Sequence, residues 1–491
     1  MNARFSVLTT VYDPEPQHLW ECLDSVVGQT WPNAIEHIVI DDASQRDDVG
    51  LLLDRSGDVH GRRIVRRPAN GGIVAASNDA LAEATGEWLV LLDHDDVLAA
   101  QALERIAAVL DADPSIDVLY TDHDLLRPDG RLASPVYKPD FSIERLRNHN
   151  WITHLVVVRR SLVEQVGGFT AGTDGAQDHD LLLRLAEASG PFHHLPDVLL
   201  HWRQSPASVA SDVANKPEAF DRVAEVVGAH LQRVGISATV DAGEHVGVVR
   251  IRREINGRPL VSVVIPTRGA TGSVWGVDRV FVHKAVSSLI AGMAADNRVD
   301  LEFVVVIDAA AEPVIERGLQ RIAGDRLTVV PYDRPFNFSD AINSGVAAST
   351  GSYLLILNDD TELIEPGSVA EMVGLAQQAD VGMVGAKLLY EDGTLQHGGH
   401  SYHGTISHAM LGWPGNHPGP HRMLAVEREC AGATAAAALL RRSVFNEVGG
   451  MNLAFAINYN DVDFSLTIRQ AGYRVLWTPH ASWFHFEQRS F

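Results

Sequence analysis

The sequence predicts an α/β fold with a mostly parallel, doubly wound sheet, present twice in the chain as an internal duplication. Short, continuously apolar segments alternate with segments of helical periodicity, as expected for strands covered on both faces by crossover helices. The same order of segments begins again near Pro259. A repeat of roughly 230 residues has the size of a domain and is too large for a solenoid module.

An apolar strand followed directly by acidic residues stands at the centre of each copy. The first reads WLVLLDHDD from Trp88, and the second reads YLLILNDD from Tyr353. Open α/β sheets place ligand sites at the carboxyl ends of such strands. On an extended backbone Asp93 and Asp95 share a face, and two converging carboxylates without a Lys or Arg nearby need a cation such as Mg²⁺ or Mn²⁺. For a single run, a polar turn after a core strand is the alternative interpretation.

Length and composition limit the possible classes of protein. A chain of 491 residues exceeds one hydrophobic core, which favours two domains. The net charge of −23 argues against nucleic-acid binding and against a polybasic membrane surface. Cys22 and Cys430 are too few for a disulfide scaffold or a zinc cluster. No signal pattern and no apolar run of about 18 residues is present, so we expect a cytoplasmic protein.

The first copy is interpreted as alternating strands and helices. The predicted strands are 5–12, 37–40, 64–65, 88–92, 117–122 and 193–201. The predicted helices are 18–28, 74–84, 100–110 and one that starts near 181. A polar amphipathic helix over 211–234 and a short β segment over 238–254 are interpreted as a connector. The predicted domains are therefore 1–210 and 258–491, joined by a connector over 211–257.

The second copy repeats the landmarks of the first in the same order. The matched segments are 260–266 with 5–10, 302–308 with 37–42, 338–343 with 71–78, 353–360 with 88–95, 460–464 with 177–181, and 483–485 with 200–201. A P-loop NTPase or a dinucleotide dehydrogenase is not supported, because neither glycine fingerprint is present.

These positions resemble the family 2 glycosyltransferases of the GT-A fold. The first copy carries Asp42, the Asp-His-Asp run at Asp93, Asp178 before a leucine-rich helix, and the late His201. The second carries Asp308, Asn337-Phe338-Ser339, Asn358-Asp359-Asp360, Gln396-His397-Gly398-Gly399, Asn460-Asp461-Val462-Asp463 and His485. Within the family the chain most resembles tandem enzymes that build bacterial O-antigen and capsule-like polysaccharides. The resemblance implies two tandem GT-A domains.

The resemblance also implies a divalent cation and a nucleotide-sugar site in each copy. The implied metal ligands for Mn²⁺ or Mg²⁺ are Asp95 with His201, and Asp360 with His485. The implied nucleotide-sugar-binding residues are Thr10, Tyr12, Asp42 and Asp93 in the first copy, and Thr267, Arg268, Asp308 and Asn358 in the second. A strand-terminal Asp such as Asp42 is also a common helix cap. Asn358 departs from Asp93, because a neutral amide is a weaker metal ligand.

Asp178 and Asp461 are the implied catalytic bases. Each would deprotonate an acceptor hydroxyl for one in-line displacement, which predicts inversion at the anomeric carbon. Asp180 and Asp463, two residues further on, are alternatives that the family pattern disfavours. As a second alternative, Asp178 serves as an acidic residue at the start of the following helix.

The predicted function is a bifunctional inverting glycosyltransferase that forms one linkage per domain. The expected donors are UDP- or dTDP-linked sugars, and the expected acceptor is a glycan or lipid-linked glycan of a growing bacterial surface polysaccharide. We expect no nucleic-acid partner and at most peripheral association with the inner face of the plasma membrane. In the alternative, one domain is catalytic and the other is a structural or carbohydrate-binding module.

Overall fold

The computed structural model describes residues 4–57, 59, 61–204, 217–402 and 404–487. The chain divides into two compact units, the first formed by 1–236 and 240–250 and the second by 237–239 and 251–491. Each unit is built around one large mixed sheet, so the predicted α/β class is confirmed. No helix within the described ranges has the length and apolarity needed to cross a membrane.

The first unit alternates strands with helices along most of its length. Its strands are β1 (Phe5–Val11), β2 (Ile35–Asp41), β3 (Arg62–Arg66), β4 (Trp88–Leu91), β5 (Val97–Leu98), β6 (Val118–Leu126), β7 (Leu132–Val136), β8 (Val156–Arg159) and β9 (His193–Arg203). Its helices are α1 (Pro16–Val27), α2 (Asp47–Ser56), α3 (Ile73–Glu83), α4 (Ala102–Ala112), α5 (Ile143–Asn148), α6 (Arg160–Val166) and α7 (Gln177–Ser189). Helix α2 was not predicted.

The sheet of the first unit is parallel on one side and mixed on the other. Its order is β3-β2-β1-β4-β8-β6-β9-β5, with β7 paired to β6. Strands β3, β2, β1 and β4 are mutually parallel, which is the geometry that helical crossovers produce. Strand β8 runs antiparallel to both β4 and β6. The carboxyl ends of β1, β2 and β4 therefore meet at one edge of the sheet.

A helix and a hairpin follow the first sheet. These are α8 (Pro217–Arg233), β10 (Ala238–Ala242) and β11 (Val249–Arg253). Helix α8 lies on α7, where His230 Nδ1 is 2.7 Å from a Glu187 carboxylate oxygen and Arg147 Nε donates to His230 Nε2 at 3.2 Å. The residues of α8 therefore belong to the first unit. The predicted boundary at 210–211 and the predicted start of this helix lie outside the described residues.

The second unit repeats the plan with additions. Its strands are β12 (Leu260–Thr267), β13 (Thr271–Val274), β14 (Val277–Val280), β15 (Asp300–Asp308), β16 (Leu327–Tyr332), β17 (Tyr353–Leu357), β18 (Thr361–Leu363), β19 (Val381–Leu389), β20 (Leu395–His397), β21 (His400–Ser401), β22 (Ser407–His408), β23 (Arg428–Glu429), β24 (Ala437–Arg441) and β25 (Arg474–His485). Its helices are α9 (Phe281–Ala295), α10 (Pro313–Ala323), α11 (Phe338–Ala347), α12 (Ser368–Ala376), α13 (Arg442–Glu447) and α14 (Asn460–Gln470). Short 3₁₀ turns occupy Gly324–Arg326 and Pro420–Arg422.

The second sheet has the order β16-β15-β12-β17-β24-β19-β25-β18, which matches the first strand for strand. Successive residues of β12 enter different apolar clusters, because side chains alternate between the faces of a strand. Val263 packs in a cluster with Val282 of α9, whereas Val264 packs in one with Phe338 of α11. The sheet is thus covered on both faces.

The duplication extends to individual hydrogen bonds. In the first unit the Ser6 hydroxyl contacts the Glu36 carboxylate and accepts the Gly86 N–H at 2.8 Å. In the second unit Ser262 donates to Glu302 at 2.6 Å and accepts the Gly351 N–H at 2.8 Å. Ser6 and Ser262 therefore occupy equivalent positions on the first strand of each sheet, and residues can be matched from this point by register.

Candidate functional site

The acidic run after β4 forms a turn. Strand β4 ends at Leu91, and the Asp96 N–H donates to the Asp93 carbonyl at 3.2 Å. Asp93 and Asp95 consequently do not share a strand face as predicted, because the backbone is no longer extended at these residues. The turn instead brings the carboxylates of Asp93 and Asp96 together.

His154, from the segment before β8, completes a group with these two carboxylates. One ligand atom from each of Asp93, Asp96 and His154 lies within 4.8 Å of the others. The Asp96 carboxylate is fully buried, and its Oδ2 has no hydrogen-bond partner among the described residues. Burial raises the pKa of Asp96 to about 8, despite the opposing effect of His154. An unpaired buried carboxylate oxygen beside a second acid and an imidazole is a donor set that fits a divalent cation.

The electrostatics of His154 support the same grouping. Its Nε2 lies 3.6 Å from Asp93 Oδ2. Burial lowers the pKa of His154, but the neighbouring carboxylates of Asp93, Asp96 and Asp178 outweigh this effect, so the pKa is raised overall. The three carboxylates therefore make the surroundings of the imidazole strongly negative, and the same field would favour a bound cation.

Asp178 lies at the same place, in the first turn of α7. With Thr10, Asp93 and His154 it lines a largely apolar cavity of about 100 Å³. Burial raises the pKa of Asp178, which His154 partly opposes. A carboxyl with a raised pKa beside the candidate metal group is suited to accept a proton.

Asp180 has a different environment from Asp178. Its Oδ2 accepts the Thr170 hydroxyl at 2.6 Å and Arg184 Nε at 2.8 Å, and the residue is buried. Because these bonds tie Asp180 to its own helix and to the preceding loop, it is a structural ion pair. The geometry therefore distinguishes the two acids that the sequence left as alternatives.

The last strand of each sheet can be matched by register. Leu91 and Ile356 are equivalent, because each pairs with the residue two positions after the matched serine on the first strand of its sheet. Counting six residues onward, Val97 and Glu362 occupy equivalent positions in the short strands β5 and β18.

In this alignment His201 and His485 are not equivalent, because their positions differ by one residue. Val97 pairs with His201, whereas Glu362 pairs with Phe484. The residue equivalent to His485 is therefore Trp202. A one-residue slip turns a side chain to the opposite face of a sheet, so the predicted alignment of His201 with His485 is corrected by one position.

The contacts of both residues agree with this register. His201 Nδ1 lies 2.6 Å from Asp124 Oδ1, and His201 is not a member of the metal-type group. The Trp202 ring instead contacts His154, with centroids 5.7 Å apart. The structure thus does not bring Asp95 and His201 together in such a group, and their roles as metal ligands stay predictions.

In the second unit the predicted metal ligands do meet. His485 Nε2 lies 3.2 Å from Asp360 Oδ1 and accepts Asn358 Nδ2–H at 3.1 Å, while Nδ1 lies 2.7 Å from Gln396 Oε1. Because Gln396 Oε1 can only accept, Nδ1 carries the proton, and Nε2 is left as the acceptor of the Asn358 amide, 3.2 Å from Asp360 Oδ1. This tautomer is the one that ligates a metal through Nε2.

Asp42 lies on the same edge of the first sheet, at the end of β2. Its two carboxylate oxygens accept the N–H groups of Gly71 and Gly72, each at 2.9 Å, and Arg67 also contacts Oδ1. Gly72 has a φ of 84°, which lets the chain present both N–H groups to one carboxylate. Tyr12, 49% exposed, follows β1. The predicted nucleobase contacts of Asp42 and Tyr12 stay predictions.

The predicted nucleotide-binding residues of the second unit have mixed environments. Thr267 is buried, and its hydroxyl donates to Asp359 Oδ2 at 2.6 Å, so it supports the acidic turn. Asp308 Oδ1 accepts the Ala310 N–H at 2.8 Å. Arg268 is exposed at the end of β12. Thr10 of the first unit, in contrast, directly lines the cavity described above.

Sequence reasoning missed two of the residues in the first site. Asp96 was visible as the last acid of its run, but the predicted strand face favoured Asp95. His154 had no local signal, because it lies about 60 residues after the acidic run and reaches it only through the antiparallel pairing of β4 with β8.

The comparisons with known proteins identify the family. The sequence profile described as Glycosyl transferase family 2 matches residues 6–166 and 262–449. These matches cover most of both units, so the chain belongs to glycosyl transferase family 2. The resemblance to family 2 glycosyltransferases seen in the sequence is thereby confirmed.

The chain is also similar to individual proteins. It is 37% identical over 99% of its length to an uncharacterized protein, y4gI, of Sinorhizobium fredii, and 32% identical over 99% to the O-antigen biosynthesis protein RfbC of Myxococcus xanthus. It covers only 53% and 37% of the lengths of these two relatives. A solved structure of S. aureus TarS residues 1–349 with UDP-GlcNAc aligns with 47% of the chain and 66% of its own, at 22% identity and a TM-score of 0.39.

Proposed function

We propose that each unit transfers a sugar from a nucleotide-linked donor to a glycan acceptor, with inversion, so that the chain forms two linkages. The main support is that Asp93, His154 and Asp178 line one cavity of the first unit. Similarity to an O-antigen biosynthesis protein supports a bacterial surface polysaccharide as the product class.

In this proposal Asp178 accepts the proton of the attacking hydroxyl. The raised pKa that burial gives its carboxyl brings it closer to the operating pH, as required of a general base. Asp93, Asp96 and His154 hold a Mn²⁺ or Mg²⁺ ion, and Asp95 with His201 is the alternative set. When bound, such an ion stabilises the charge that develops on the leaving diphosphate. Asp42 and Tyr12 bind the nucleobase.

In the second unit Asp461 takes the place of Asp178, and Asp360 with His485 holds the ion. Asp461 lies in the first turn of α14, as Asp178 does in α7. Thr267, Arg268, Asp308 and Asn358 bind the donor, with Gln396 orienting His485.

A single catalytic unit is the second candidate. It is favoured by Asn358, whose amide already occupies the Nε2 lone pair of His485 at 3.1 Å. In this case the second unit binds acceptor glycan, and only the first forms a linkage.

We further propose the partners and location of the protein. The donors are UDP- or dTDP-linked sugars, and the acceptor is a glycan or lipid-linked glycan. The enzyme acts in the cytoplasm with at most peripheral contact to the inner membrane face. Its two transferase domains are 1–210 and 258–491, with α8 packed on the first.

The test is a panel of nucleotide sugars offered to the full chain with Mn²⁺ or Mg²⁺, with and without EDTA. Metal-dependent release of nucleotide is expected in the wild type. The Asp178→Asn and Asp461→Asn variants should each retain one linkage, identified by linkage analysis of the product. If the products of the Asp461→Asn chain are unchanged, the second unit is not catalytic and only the first forms a linkage.

A further inference from the structure

Three histidines of the second unit form a cluster that the proposed transfer reaction does not use. His397 ends β20, and His400 and His408 lie opposite each other in the pairing of β21 with β22. His397 and His400 are buried, and His408 is partly buried. One ring nitrogen from each lies within 4.8 Å of the others. The spacing His397-Gly-Gly-His400, on a tight β structure, brings the first two rings together.

The rings have the arrangement that a shared ion would impose. Their centroids are 5.1 Å apart for His397 and His400, 4.8 Å for His397 and His408, and 5.0 Å for His400 and His408. The interplanar angles are 81°, 80° and 82°. Three imidazoles that bind one ion through nitrogens at about 2.1 Å have centroids roughly 5 Å apart.

The charge state of the cluster suits a metal ion. Burial lowers the pKa of each imidazole, to about 4 for His400 and well below the usual value for His397. Burial therefore favours the neutral imidazole, which is the form that ligates a metal. The Asp461 carboxylate lies beside His400, with Oδ2 3.9 Å from His400 Nε2.

Without an ion, hydrogen bonds hold part of the same arrangement. His397 Nε2 accepts the Thr434 N–H at 3.3 Å, so Nδ1 carries the proton and donates to His408 Nδ1 at 2.7 Å. When a metal is ligated by these two Nδ1 atoms, the proton of His397 moves to Nε2, because a neutral imidazole keeps one N–H. His397 Nε2 then no longer accepts the Thr434 N–H, a contact that is long and therefore weak compared with three metal–nitrogen bonds.

We propose that His397, His400 and His408 bind a transition-metal ion of the Zn²⁺ type and supply its three protein ligands. Three imidazoles favour such an ion over Mg²⁺, which prefers oxygen ligands. This site is separate from the Asp360–His485 pair, because neither residue belongs to the histidine group.

The first unit provides an internal comparison. In the first unit Val136 of β7 pairs with His123 of β6. In the second unit His397 of β20 pairs with Leu388 of β19, and Leu388 is the residue equivalent to His123. Val136 thus stands where His397 stands in the second unit. The proposed ion is therefore expected once per chain.

The experiment measures Zn²⁺ binding to the full chain after removal of metals with a chelator. Calorimetric titration gives the number of equivalents, and Co²⁺ serves as a spectroscopic probe of nitrogen ligation. The wild type is expected to bind one equivalent more than His400→Ala or His408→Ala, and Zn²⁺ should raise its melting temperature more than that of either variant. His417→Ala is the matched control, because His417 lies in the same region outside the cluster and should leave the equivalent intact.

Two further variants assign the lost equivalent. Asp360→Ala should retain it, because it removes a ligand of the other site. His408→Gln, which is closer in size, replaces His408→Ala if the latter unfolds. The proposal is overturned if the cluster variants bind as many Zn²⁺ equivalents as the wild type. It is equally overturned if Asp360→Ala alone removes the equivalent. Both readouts are independent of sugar transfer, so failure here leaves the proposed function intact.

Discussion

Replacing Asp178 and Asp180 separately by Asn tests the proposed base of the first unit most directly. Both acids lie in the first turn of α7, yet only Asp178 faces the cavity with Asp93 and His154. An amide has nearly the same shape as a carboxylate but cannot accept the proton. We therefore expect Asp178→Asn to lower the rate at which the first linkage forms by about 10²–10⁴-fold. This corresponds to an increase of about 2.7–5.5 kcal/mol in the activation free energy.

The two substitutions should differ in their effect on stability. Asp180 accepts hydrogen bonds from Thr170 and from the Arg184 guanidinium, and both partners of this ion pair are mostly buried. Hydrogen bonds to charged groups are each worth roughly 1.5–3 kcal/mol, so Asp180→Asn should lower the free energy of unfolding of the first unit by about that amount. Asp178→Asn should leave stability within about 1 kcal/mol, the size of a helix-terminus charge effect.

The assay combines denaturant unfolding with linkage analysis of products from both variants and the wild type. A stable Asp178→Asn chain that has lost the first linkage supports the base. If Asp178→Asn keeps the first linkage at the wild-type rate, the reasoning is refuted. If it instead loses as much stability as Asp180→Asn, Asp178 is a structural acid of α7.

Three other predictions follow from the site and the core. His154→Ala should abolish the Mn²⁺ dependence of nucleotide-sugar binding by the first unit, measured by calorimetry, whereas His201→Ala should preserve it. The opposite pattern would show that His201, and not His154, is the metal ligand. Asp461→Asn should remove one linkage and spare the other, as read from product composition, and unchanged products would contradict catalysis by the second unit. Burial lowers the pKa of His37 to about 3 in the folded state. As the pH falls below about 6.5, His37 therefore binds a proton in the unfolded state but stays neutral in the folded state. The free energy of unfolding of the first unit should therefore decrease by about 2 kcal/mol from pH 7.5 to pH 5, and His37→Gln should lack this part of the slope in denaturant titrations at the two pH values.

The strand and helix pattern of the core was predictable because it depends on local periodicity. The predicted strand 37–40 and helix 74–84 lie within one or two residues of β2 and α3. Helix α2 was missed because its few apolar residues make a short and weak period. The hairpin of β13 and β14 was missed because it has no counterpart in the first copy.

The site was predictable in part, for a related reason. Asp93, Asp178, Asp360 and His485 lie where the duplicated motifs indicated, because the carboxyl ends of neighbouring parallel strands converge at one edge of the sheet. The histidine cluster of the second unit carries a visible His-x-x-His spacing at His397, but His408 joins it only through a hairpin.

Apolar periodicity and the internal repeat were thus enough to specify an α/β chain of two related units, with acids at the ends of the β4-type strands, because both depend on the order of residues alone. The choice between Asp95 and Asp96, and between His201 and His154, depends on tertiary structure. It follows from where β4 stops being extended and from a one-residue register on the last strand. A slip of one residue reverses the face of a side chain, and long-range pairing, not local sequence, sets that register.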